Sequence, residues 1–169
     1  MQSQPGYLTE FLAAWGAILS TFGLGWTFYR DLHDRARLKI DAHIRRVVQS
    51  ADGKWYAIRP DLEAEGASEK LFVVVDVANK GRRPVQWIGW GGKYRTPVNG
   101  KTGFSVIPVA LPQVLNEGTF HSEYSDQLNP AGENVKRLFI WDATGKHWNL
   151  SRRALRKLKE ESRKFQSQV

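Results

Sequence analysis

The residues of this chain whose types could do chemistry are four histidines, a His-Ser-Glu tripeptide, a Gly-Lys pair and one aspartate in a turn. His33, His43, His121 and His147 are too scattered for a helical metal pair, which needs two ligands four residues apart. His121-Ser122-Glu123 has the residue types of a hydrolytic triad. Neighbours in a strand point to opposite faces, however, so the three cannot converge. Gly145-Lys146 lacks the upstream glycine and the following Ser or Thr of a phosphate loop. Asp142 opens the phrase DATGK and reads as a turn residue rather than a general base. The chain has no cysteine, which removes disulfides, thiolate metal sites and cysteine nucleophiles. These residues imply no catalysis, no cofactor and no metal, and they identify no small-molecule substrate.

Charge is the stronger signal. The net charge is +8, and it is clustered. Arg30, Arg35, Arg37, Lys39, Arg45 and Arg46 follow a charge-poor N-terminal stretch, and Arg152, Arg153, Arg156 and Lys157 open the C-terminal segment. Basic residues near an anionic leaflet gain about 1 kcal/mol each, so membrane lipid is the expected partner. Nucleic acid is the rival, because a basic stripe is its electrostatic footprint. No recognition-helix or stacking motif accompanies the charge here, so nucleic-acid binding is not the expected role.

The elements that position these charges begin with a membrane anchor. Phe11 to Tyr29 is nineteen residues without a formal charge. As a helix it spans roughly 28 Å, close to the hydrocarbon thickness of a bilayer. A signal peptide would need a basic start and a small-residue cleavage site, and MQSQPGYLTE carries no Lys or Arg. A buried core helix fits less well, because Trp15, Trp26 and Tyr29 lie toward the ends, where amphipathic rings favour headgroups. The flanking arginines place the C-terminal side in the cytoplasm. The expectation is a single-pass protein of a bacterial inner membrane, its N-terminus outside. Ala13, Ala17, Thr21 and Gly25 recur every four residues, with Gly16 and Ser20 beside them. Such a ladder lets two membrane helices pack closely, which points to self-association or a protein partner.

From Arg37 the hydropathy period becomes two. Leu38, Ile40, Ala42 and Ile44 alternate with polar residues, and Asp52-Gly53 offers a hairpin turn into Trp55–Ile58. LFVVVDVAN (71–79) is apolar on both faces and reads as a central strand. NKGRRP turns the chain into VQWIGW as its return strand, with one of Trp87 and Trp90 in the core and the other partly exposed. Turns at Gly91-Gly92, Asn99-Gly100, Asn116-Glu117-Gly118 and Asn129-Pro130 separate strands near 93–96, 104–109, 119–124 and 135–141. A further strand follows at 147–150. Seven to nine short strands at this spacing indicate an antiparallel β-sandwich or barrel. SRRALRKLKEESRKF then forms a helix with Ser151 as N-cap and Leu155, Leu158 and Phe165 on one stripe. That stripe suits a helix lying on a membrane surface.

Asn79, Gly81, Pro84 and Val85 form an N-x-G-x-x-P-V turn, and Asp142, Gly145 and Trp148 a D-x-x-G-x-x-W turn. This pattern resembles small uncharacterised bacterial membrane-anchored proteins, in which an N-terminal helix precedes an immunoglobulin-like sandwich. The resemblance covers residues 37–158 and implies architecture, with no functional residues to carry over. The organisation expected is an anchor and juxtamembrane helix over 1–36, an immunoglobulin-like β-sandwich over 37–150 and a basic amphipathic helix over 151–169. The expected function is a membrane-tethered, non-enzymatic binding or scaffolding module. The alternatives are a membrane effector whose oligomerised anchor perturbs the bilayer, and a basic domain that binds nucleic acid or anionic lipid.

Overall fold

The computed structural model describes residues 6–166. Residues 1–5 and 167–169, the start of the expected external N-terminus and the end of the basic helix, lie outside the described residues. The chain divides into two compact units, Met1–Arg35 and Ala36–Val169.

The first unit is one helix, α1 (Gly6–His33). Its segment Thr9–Asp31 is long and apolar enough to cross a membrane, and none of the window judged is buried. Aromatic rings pair toward both ends: Phe11 meets Trp15 edge-on at 6.3 Å, and Trp26 stacks on Tyr29 at 5.8 Å. The hydroxyls of Ser20 and Thr21 both donate to the Ala17 carbonyl, and Thr27 donates to that of Gly23. These polar atoms are therefore satisfied within the helix, which is what a lipid environment requires.

The second unit is mainly β. Its strands are β1 (Leu38–Gln49), β2 (Trp55–Ile58), β3 (Phe72–Asn79), β4 (Val85–Val98), β5 (Lys101–Val106), β6 (Gln113–Leu115), β7 (Phe120–Ser125), β8 (Val135–Asp142) and β9 (His147–Asn149). They form two antiparallel sheets, one ordered β2-β1-β3-β7 and the other β5-β4-β8-β9, with β6 also paired to β4. A single core joins them: Ala42, Ile44, Val73, Val75 and Val77 from the first sheet meet Trp87, Trp90, Leu115, Leu138 and Ile140 from the second. The helix α2 (Arg152–Gln166) adds Leu158 and Phe165 to that core.

The strand pattern is close to the sequence reading, with three corrections. VQWIGW does not return beside β3. β3 pairs with β1 and β7, while β4 belongs to the other sheet, so the turn at 79–84 is a crossover. Asn79, fully buried, holds that crossover. Its side-chain amide donates to the Arg83 and Leu115 carbonyls, and its Oδ1 accepts from the Gly81 N–H. Such local side-chain bonds are why Asn is favoured in turns.

Second, Trp87 and Trp90 are both buried. Opposite β8 the register slips between Trp87 and Gly89, so Ile88 is an extra residue on β4. One inserted residue resets the alternation and turns both tryptophans, three apart, to the same side. Third, Gly91-Gly92 is not a turn, because β4 runs through it to Val98. The glycines are needed for close approach: a Cβ on Gly92 would lie 2.6 Å from the Phe104 ring, and one on Gly91 would collide with the Phe104 carbonyl. A glycine in a strand often marks such an approach, which makes it a poor guide to a turn by itself. Asn99-Gly100 is a hairpin turn, with φ of 50° and 76°. β6 went unassigned at the sequence level because three residues carry too little period to detect.

Candidate anionic interface along the C-terminal helix

Helix α2 starts where Ser151 caps it, its Oγ accepting from the Ala154 N–H at 3.1 Å. Leu158 is fully buried, Phe165 and Ser162 are buried, and Ala154 and Leu155 pack against the core. The apolar stripe thus faces the domain, which corrects the expectation of a helix whose stripe enters lipid. Arg152, Arg153, Arg156 and Lys157 stay exposed on the remaining surface.

Two contacts hold the helix in place. On the edge of β1 away from β3, the Ile44 N–H donates to Glu161 Oε2 at 3.0 Å, and His43 and Arg45 each lie 3.6 Å from the same carboxylate. Burial pushes the Glu161 carboxyl up, but the close approach of His43, the Ile44 N–H bond and the Arg45 charge outweigh it and hold it below its ordinary value. On the opposite side, Lys159 Nζ donates to the Glu133 and Val135 carbonyls at 2.8 and 2.7 Å, while Arg163 Nε reaches Glu133 Oε1 at 2.6 Å.

These contacts leave a groove along each flank. Lys39 of β1 joins Arg153 and Lys157 in a groove of about 640 Å³ whose acidic residue is Asp41. The other flank gathers Arg95, Lys136, Arg152, Arg156, Lys159 and Arg163 with Glu133 and Glu160 in about 370 Å³. The basic residues singled out from sequence therefore divide: Lys39, Arg153 and Lys157 share one groove, and Arg152 and Arg156 share the other. Arg37 is exposed just before β1, and Arg35 pairs with Asp31 at 3.9 Å in the first unit, which also holds Arg30. Arg95 and Lys136 escaped the sequence reading because they lie on β4 and β8, far from any charge run.

The candidate catalytic residues separate as strand geometry requires. Ser122 donates to Asp76 on one face, while His121 and Glu123 lie on the other. Those two residues do meet, His121 Nε2 to Glu123 Oε1 at 2.7 Å, with the His121 ring edge-on to Trp87. This i, i+2 pair was legible from strand period but was not drawn. Asp142 is a turn residue: it accepts from the Thr144 and Lys146 N–H groups, the Thr144 hydroxyl and the Trp148 indole. Burial raises its pKa, and the Thr144, Trp148 and Lys146 bonds overcome that and lower it. His147 stacks on Phe139 at 4.6 Å beside Trp141, and the Trp141 ring fills the space over Gly89. The side chain of His33 lies outside the described residues. Among the described residues no group of three acidic or histidine side chains could hold a metal ion.

No family model and no curated protein matches this chain. Among solved structures it is similar to the X-ray structure of Northeast Structural Genomics Consortium target SoR45, at 13% identity and a TM-score of 0.30. That match covers 67% of this chain and 79% of the other.

Proposed function

We propose that this chain is a membrane-tethered, non-enzymatic binding module at the cytoplasmic face of a bacterial inner membrane. Helix α1 is its single-pass anchor, and the two sheets form an immunoglobulin-like β-sandwich that recognises a protein partner. The observation that carries this reading is the pairing of an unburied apolar helix with a domain whose basic residues are gathered on both flanks of α2. Four residues separate α1 from β1, so Lys39 follows the span closely in the chain. Anionic headgroups are the partner proposed for the groove of Lys39, Arg153 and Lys157, each cation gaining about 1 kcal/mol at such a surface. The ladder of Ala13, Ala17, Thr21 and Gly25 supports self-association by close backbone packing, since the Thr21 hydroxyl is already satisfied within its own helix.

Two fractionation steps test the reading. The full chain should resist alkaline extraction from membranes, and a C-terminal tag should survive protease added to intact spheroplasts. Release by alkali removes the anchor, and cleavage of the tag reverses the topology. Affinity purification from solubilised membranes should then recover the same partner when residues 11–29 are replaced by an unrelated span. Loss of the partner on that replacement would move recognition from the domain to the anchor.

A further inference from the structure

The groove between α2 and the start of β8 lies on the flank of α2 to which the membrane reading assigns no headgroup contact. Its floor is Lys159, 7% exposed. An ammonium has three donors and no acceptor, and two of the three are committed to the Glu133 and Val135 carbonyls. Around it stand Arg95, Lys136, Arg152 and Arg156, none of which makes an ion pair among the described residues. Glu133 is already engaged by Arg163, which leaves Glu160 as the other acidic residue lining the groove. Burial first, and then the nearby Arg95 charge, push the Lys159 pKa down against the opposing pull of Glu133. Concentrating like charge around a buried ammonium is unfavourable unless an anion completes it.

We infer that this groove binds a phosphate group, with Arg95, Lys136, Arg152 and Arg156 reaching its oxygens and Lys159 supplying a donor from below. Guanidinium groups present paired donors that match phosphate oxygens, and several can share one dianion. The groove volume of about 370 Å³ leaves room for a phosphomonoester or diphosphate. The group is carried either on a lipid headgroup or on a small soluble molecule. The proposal is independent of the lipid contact assigned to Lys39, Arg153 and Lys157, because those residues line the other flank.

The test uses the full chain in nanodiscs of neutral phosphatidylcholine, titrated with inorganic pyrophosphate by calorimetry. Saturable binding is expected, weakened at least tenfold by Arg95→Gln with Arg156→Gln. It should change less than twofold with Lys70→Gln and Lys101→Gln, exposed cations that line neither groove. In a second arm, capture by vesicles containing phosphatidic acid should fall in the first pair. Pyrophosphate binding places the source in solution, and capture without it places the source in lipid. Either result supports the groove. A readout on the unaltered chain guards against misfolding of the variants: pyrophosphate or phosphatidic acid should protect Lys136 from acetylation, read by mass spectrometry. No binding in either arm overturns the proposal, and so does an equal loss in both variant pairs. Tight single-stranded RNA binding that the Arg95 and Arg156 changes leave intact also overturns it, and points to a nucleic-acid surface elsewhere.

Discussion

The two helices of this protein invert each other. α1 is apolar around its circumference and leaves its described side chains exposed, whereas α2 is dominated by charge, buries Leu158, Lys159, Ser162 and Phe165, and packs Ala154 and Leu155 against the core. Mean hydropathy would rank them the wrong way for burial inside protein. What decides is arrangement: the apolar stripe of α2 faces the domain core, while α1 is long and apolar enough to span a membrane and has none of its judged window buried.

The comparison breaks most sharply by giving α1 charge. Ile18→Arg with Leu19→Arg costs about 6 kcal/mol of insertion free energy at mid-span. The variant should move from the alkali-resistant membrane fraction to the soluble or degraded pool, seen by fractionation and blotting. In α2 the matching change is loss of apolar contact. Leu158→Ala should destabilise the protein by about 3 kcal/mol, measured by denaturant unfolding in detergent. An effect below 1 kcal/mol would mean that α2 is not part of the core.

A smaller effect comes from pH. The Glu161 carboxyl sits below its ordinary value of 4.5 in the folded chain. Its contribution is complete above that value and disappears as pH falls through the lowered one. Unfolding followed between pH 7 and pH 3 should therefore show an acid limb that Glu161→Gln flattens. An unchanged limb would separate α2 from the edge of β1. The smallest effect belongs to the ladder on α1. Ala17→Leu with Gly25→Leu should reduce crosslinked oligomer severalfold in membranes and leave insertion unaltered, and unchanged oligomers would remove the ladder as a packing face.

Much of the architecture was legible because it is written locally. The both-face apolar run of β3, the Asp-Gly and Asn-Gly turns, the uncharged span and the cap at Ser151 each declare themselves within twenty consecutive residues. The failures share a different physics. Ile88 as an inserted residue shows only against the register of β8, and the glycines of β4 make sense only once Phe104 lies beside them. The phosphate groove is assembled from β4, β8 and α2, and no local pattern links Arg95 to Arg156. Asp142 was readable as a turn former because its hydrogen-bond partners lie within six residues.

The bond from Ile44 to Glu161 joins residues 117 apart in sequence. A ribosome adding roughly 5–20 residues per second needs about 6–23 s to cover that gap. Throughout that interval the outer edge of β1 has been made while the carboxylate that closes it has not. An unpaired strand edge is a template for another chain, and the proposed anchor would gather nascent copies on one surface. Synthesis speed thus becomes a variable of assembly for this protein, with slow codons between β1 and α2 lengthening the time that neighbouring copies have to pair.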